Sequence, residues 1–111
     1  VHLDPTGRGV RENGSMQEIT VAELMARTDT PLIDVREEGE FAAGRVPGAI
    51  NIPLSQLGER LGELPHEFDV ICKIGGRSAQ VVAALEPRGY DVTNVQGGTD
   101  AWIEAGYEVE R

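Results

Sequence analysis

Cysteine is almost missing from this chain: Cys72 is the single thiol in 111 residues. One cysteine closes no internal disulfide and builds no cysteine-rich zinc site. Histidine is nearly as scarce, with only His2 and His66, so no metal centre is expected. Basic residues are outnumbered, 10 Lys and Arg against 19 Asp and Glu, for a net charge of −9. That balance argues against binding a nucleic-acid backbone and favours a basic surface on any protein partner. Long apolar runs are lacking too. None approaches the ~20 residues needed to cross a bilayer, and no charged start with an apolar stretch and cleavage site marks a secretory signal. The expectation is a soluble, cytoplasmic protein without a membrane partner, and a monomer, since no exposed apolar stripe demands a dimer.

What is present is the makings of one core. Apolar residues form 40% of the chain and are spread evenly, as in a globular domain rather than a disordered one. Residues 1–15 differ: three glycines, a proline and scattered charges, with no apolar period. They read as a disordered N-terminal tail, tag or linker, with Met16 a natural start and one domain over 16–111.

Along that domain, Glu18-Ile19 reads as a short edge strand, and Thr20 with Glu23 fits a capping box opening a helix with Val21, Leu24 and Met25 on one face. Leu32 to Val35 reads as a strand, followed by an acidic-started helix through Phe41 and Ala43, ended at Gly44. Ala49 to Ile52 is a further strand. Leu54, Leu57, Leu61 and Leu64 fall at helical spacing, weakened by Gly58 and Gly62. Val70-Ile71-Cys72 is the next strand and Ser78 to Leu85 the strongest helix, which Pro87 must end. Val92 to Val95 is the last strand, and Gly97-Gly98 leads into a helix with Ala101, Trp102 and Ala105, closed by Gly106. This alternation predicts an α/β fold of three layers, α/β/α, around a largely parallel central sheet. Ligands in such sheets sit at the carboxyl ends of the strands, which is where Cys72 falls.

A free thiol has a pKa of about 8.5, and a helix N-terminus or a cation lowers it. Both are close in sequence: the helix start at Ser78, and Lys73 and Arg77 on either side of the turn. Gly75 and Gly76 can take positive φ, so that successive N–H groups converge on one anion. Cys72 could instead be a small buried hydrophobe, but the glycine pair, two cations and a helix start around it favour a nucleophile. His66 precedes the same strand and so belongs at the opposite end of the sheet, as a surface residue rather than an activating base. Asp34 reads as a structural hydrogen-bond acceptor; Arg36 either reaches the loop or pairs with a nearby carboxylate. Trp102 reads as core packing, and Glu37, Glu38 and Glu40 as a solvated helix start.

Cys72-Lys73-Ile74-Gly75-Gly76-Arg77-Ser78 resembles the active-site loop of the rhodanese family, C-x-x-G-x-R-S. Further stretches match in the same order: Leu32 to Glu37 with Glu40-Phe41, Gly44 to Pro53, and Gly97-Gly98 with Ala101-Trp102 and Gly106-Tyr107. The resemblance implies a sulfurtransferase. Cys72 would take sulfur from a small donor such as thiosulfate as a persulfide and pass it to cyanide, a thiol or a protein, with no cofactor. Lys73, Ile74, Gly75, Gly76, Arg77 and Ser78 would form the binding loop, with Lys73 and Arg77 attracting an anionic donor, and Asp34 and Arg36 in support. The alternative within the family is a sulfur carrier or regulatory module with low activity alone. Phosphatases of the same fold need their arginine six positions after the cysteine; Arg77 lies five after Cys72, a loop sized for sulfur. Two features depart from the usual pattern or colour it: Arg45 stands where the family usually has histidine, and Ile74 gives the pocket mouth an apolar element.

Overall fold

The central strand explains the layering. In the computed structural model, which describes residues 16–111, β4 (Glu67–Ile71) is buried from Phe68 onward. Its side chains alternate: Phe68, Val70 and then Cys72 join one core, while Ile71 joins the other. A strand covered on both faces is the normal state of a parallel sheet, and it needs a continuous apolar run rather than an alternating one. The other strands are β1 (Glu18–Ile19), β2 (Leu32–Asp34), β3 (Ile50–Asn51) and β5 (Asp91–Val95). They assemble in the order β1-β5-β4-β2-β3 with every neighbouring pair parallel, as the α/β reading predicts.

Helices close both faces. On one, α3 (Gly76–Leu85) supplies Val81, Val82 and Leu85, and a 3₁₀ segment (Leu54–Glu63) supplies Leu57, against Ile33, Val35, Phe68, Val70 and Val92. On the other, α1 (Val21–Ala26) and α4 (Gly98–Glu104) bring Leu24 and Trp102 onto Leu32, Ile71 and Val95. The remaining helix, α2 (Glu38–Ala43), follows β2 and ends at Gly44. The predicted capping box of α1 is present: the Glu23 N–H donates to Thr20 Oγ1 at 3.1 Å and the Thr20 N–H to Glu23 Oε1 at 2.8 Å.

Several boundaries differ from expectation, each for a local reason. Helix α3 starts at Gly76 rather than Ser78, because Gly75 adopts φ +109° and serves as N-cap. It ends at Leu85, ahead of a 3₁₀ turn over Glu86–Arg88 that contains Pro87. The leucine-spaced segment is 3₁₀ and breaks at Arg60 (φ −114°, ψ 20°), between the two glycines that weaken it. Strand β3 keeps only two of the four residues expected, and Met25 is 56% exposed rather than sharing the buried face of Leu24. The expected tail over residues 1–15 lies outside the described residues. Among those described, no helix is long and apolar enough to cross a membrane.

Arg45, in the position where histidine is usual, clasps the chain end. Its N–H donates to the Glu110 carbonyl at 2.9 Å and its carbonyl accepts the return bond from the Glu110 N–H at 2.9 Å, its Nε lies 3.3 Å from Glu110 Oε1, and its guanidinium sits over the Phe41 ring at 4.8 Å. Arg45 is thus held on three sides, by backbone, carboxylate and ring. Trp102 is core, as expected: it is buried, stands edge-on to Tyr107 at 4.9 Å, and donates from Nε1 to the Glu108 carbonyl at 2.7 Å.

Candidate active site

Strand β4 ends at Ile71, so Cys72 is the first residue past the sheet, and the chain must turn at once to enter α3. Gly75 makes that turn possible through its left-handed backbone. The turn folds back on the sulfur: the Gly75 N–H donates to Cys72 Sγ at 3.1 Å, and Ser78 Oγ lies 3.2 Å from it. Burial pushes the Cys72 thiol up, but the Ser78 hydroxyl and the N–H groups of Ser78, Gly75 and Ile74 outweigh it, so its pKa falls below the usual thiol value. Cys72 itself is only 1% exposed. The sulfur thus sits on the floor of a ring of donors at a helix N-terminus, the arrangement that favours an anion.

Each of the two cations has a carboxylate partner. Lys73 is not a donor to the sulfur; its Nζ is 2.7 Å from Asp100 Oδ2 and the side chain is exposed. Arg77 forms a two-pronged pair with Glu40, at 2.7 and 2.9 Å. That pair raises the Arg77 pKa, with a smaller contribution from the field of Cys72. It also holds Glu40 down to about 2. Glu40 is therefore not part of a merely solvated run. It lies 37 residues from Arg77, a separation at which no sequence signal links the two.

Asp34 and Arg36 resolve the open choice. Arg36 donates from Nε and Nη2 to the Asp34 carboxylate at 2.8–3.1 Å, and from Nη1 and Nη2 to the carbonyls of Glu40 and Gly44 at 3.2 and 2.8 Å. Asp34 is the acceptor expected of it, and Arg36 takes the carboxylate rather than the loop. The register explains why: Asp34 pairs with Ile71, whose side chain faces the α1/α4 layer, while Cys72 faces α3. Arg36 still matters to the loop indirectly, since it grips the backbone of Glu40, whose carboxylate grips Arg77. His66 is exposed just before β4, at the far end of that strand from Cys72, as the sequence indicates.

Two contributions escaped sequence reasoning. The start of α4 docks on the loop from the other side: the Thr99 N–H and Oγ1 donate to the Cys72 carbonyl at 2.9 and 3.0 Å, and the Asp100 N–H to the Lys73 carbonyl at 3.0 Å. Such closeness requires glycine at 98, where a Cβ would stand 2.5 Å from the Lys73 carbonyl oxygen and φ is +60°. By taking those carbonyls, α4 leaves the loop's N–H groups to face the sulfur. The second contribution is Asn94, whose Oδ1 receives the Ser78 hydroxyl at 2.5 Å. A groove of about 740 Å³, lined by Leu24, Met25, Leu32, Ile50 and Trp102 among others, lies away from all of this, by the amino ends of β2 and β3. Among the described residues, no three His, Cys, Asp or Glu side chains converge as metal ligands.

Residues 19–105 match the family model of the rhodanese-like domain. The chain belongs to the rhodanese-like family. A sulfurtransferase of Allochromatium vinosum is 37% identical over 73% of this chain and 78% of its own length. The putative sulfurtransferase YtwF of Bacillus subtilis is 36% identical over 78% of this chain and 90% of its own. Among solved structures, a rhodanese-related protein from Thermoplasma volcanium superposes with a TM-score of 0.80 at 38% identity, covering 84% of this chain and 96% of that one. This rhodanese-like domain therefore places its single thiol where the fold gathers backbone donors.

Proposed function

We propose that the protein is a sulfurtransferase that carries sulfane sulfur as a persulfide on Cys72. The observation that carries this reading is the buried sulfur ringed by the Gly75 N–H and the Ser78 hydroxyl, at 3.1 and 3.2 Å, in a loop with Arg77 five residues on. The kinship with sulfurtransferases supports it. With thiosulfate as donor, the Cys72 thiolate attacks the outer sulfur; an S–S bond forms, and sulfite leaves with the electron pair of the bond that breaks. The terminal sulfur then bears the negative charge, and the loop N–H groups that held the thiolate hold the new anion. A nucleophilic acceptor, cyanide or a thiol, attacks that sulfur and restores the thiolate. Lys73, Ile74, Gly75, Gly76, Arg77 and Ser78 form the donor-binding rim in this scheme.

A second reading, a carrier or regulatory module that serves a protein partner, draws on the rim itself. Both cations already have carboxylate partners, Asp100 and Glu40, and Ile74 is 68% exposed beside them. Such a mouth is less suited to a free dianion than to a persulfide presented on an apolar surface. Incubation with thiosulfate followed by intact-mass measurement tests the first reading, with gain of one sulfur atom expected on the native chain and none on Cys72→Ala. No gain from thiosulfate, but gain from a protein or low-molecular-weight persulfide, selects the second. Turnover by Cys72→Ala overturns both.

A further inference from the structure

The Ser78 hydroxyl has one proton and three acceptors around it: Asn94 Oδ1 at 2.5 Å, the Gly75 carbonyl at 3.2 Å and Cys72 Sγ at 3.2 Å. Cys72, Ser78 and Asn94 are all buried, out of contact with bulk solvent. Which acceptor wins is decided further out. In the sheet, Glu18 pairs with Asn94 and Asn94 with Val70, so all three side chains rise on the face that Cys72 shares. Glu18 Oε2 accepts from Asn94 Nδ2 at 3.0 Å, while Gln96 Nε2 donates to the other carboxylate oxygen at 3.0 Å. A carboxylate only accepts. The amide is therefore held one way round, with Nδ2 toward Glu18 and Oδ1 toward Ser78, and an amide oxygen that close to a hydroxyl needs its proton.

We propose that Glu18 and Asn94 are positioning residues that hold the Ser78 hydroxyl away from the sulfur while the sulfur carries a proton, and yield it when the sulfur becomes an anion. In the thiol form, S–H donates to Ser78 Oγ and the hydroxyl donates to Asn94. In the thiolate form the hydroxyl turns to the sulfur, and Asn94 Oδ1 loses its donor. That loss limits how far the loop stabilises the anion. It keeps the sulfur basic enough to be a strong nucleophile, since thiolate reactivity falls along with the pKa. The charges facing the loop from other elements come in pairs: Lys73 with Asp100 of α4, Arg77 with Glu40 of α2, and Asp34 with Arg36 after β2. The hydroxyl's direction is thus the adjustable element.

The inference rests on Cys72 being the reacting sulfur, and its test needs no sulfur donor: the pH dependence of Cys72 alkylation by iodoacetamide in the full chain. Glu18→Gln lets the Asn94 amide turn over and present Nδ2 to Ser78, freeing the hydroxyl for the sulfur. The alkylation profile should move to lower pH, with the rate below its midpoint rising about threefold, a fraction of one hydrogen bond. In a Ser78→Ala background the same substitution should change nothing. A shift that persists without Ser78 reports only the lost charge and overturns the proposal, as does no shift with Ser78 present. If the alkylation shifts appear but thiosulfate adds no sulfur to the native chain, the positioning role stands and the thiosulfate reading fails.

Discussion

Two buried polar clusters sit at the carboxyl ends of adjacent strands, on opposite faces of one sheet, and they are built to opposite ends. After β2, the guanidinium of Arg36 is locked by the Asp34 carboxylate and two backbone carbonyls, with Asn51 Nδ2 binding the carbonyls of Asp34 and Arg36. Donors and acceptors match, and nothing there gains by moving. After β4, the Ser78 hydroxyl is short of protons for the acceptors it meets, and one acceptor is a sulfur whose charge can change. A saturated cluster confers rigidity; an undersupplied one can respond to chemistry at its centre. Glu40 joins the two, offering its carbonyl to Arg36 and its carboxylate to Arg77.

The comparison can be broken most directly at the sulfur. Cys72→Ala should abolish sulfur uptake, read by intact mass, yet lower stability by only about 1 kcal/mol, because the side chain is small. Arg36→Ala should do the reverse: leaving Asp34 buried without its cation costs about 3–5 kcal/mol, read by urea denaturation. The thiol alkylation profile of the remaining folded protein should stay close to native. If Arg36→Ala moves that profile as far as a loop substitution does, the two clusters are one.

A third test sharpens the responsive side. Ser78→Ala removes the largest single aid to the thiolate, so burial gains weight and the thiol pKa should rise. Alkylation below the midpoint should slow by about tenfold, one hydrogen bond to a charged group. The smallest effect is expected at the link. Glu40→Gln releases Arg77 from its carboxylate, and the KM for thiosulfate should fall by about two- to threefold, since the pair is a third exposed and screened. The same pair has an acid signature. With Glu40 held at about 2 against 4.5 when free, its contribution to stability is present above about pH 4.5 and fades as pH falls toward 2. Native and Glu40→Gln proteins should therefore differ in stability at neutral pH and converge near pH 2, as followed by denaturant titration.

Much of this was legible along the chain. The capping box at Thr20, the apolar run before Cys72 and the alternation of strands and helices all depend on neighbours within a few residues, and each appears as read. The Cys72 to Ser78 loop was legible for the same reason: a helix start and a left-handed glycine are local demands. What the chain did not show was set by distant partners. The carboxylate partners of Lys73 and Arg77, Asp100 and Glu40, lie 27 and 37 residues away, and Glu40 looked solvated for the same reason. The early start of α3 is the exception, a local effect of Gly75 that the spacing of apolar residues does not report.

The sequence by itself determined that a lone thiol would meet a helix N-terminus at the end of a buried strand, because chain geometry allows little else for a cysteine followed by two glycines, Arg77 and Ser78. What the tertiary structure alone decided is how that thiol is tuned. The order β1-β5-β4-β2-β3 sets Glu18 beside Asn94, Asn94 beside Val70, and α4 beneath the loop, across separations that carry no local signal. Hydrogen-bond partners are chosen by proximity in space, and proximity in space is what strand order and register create.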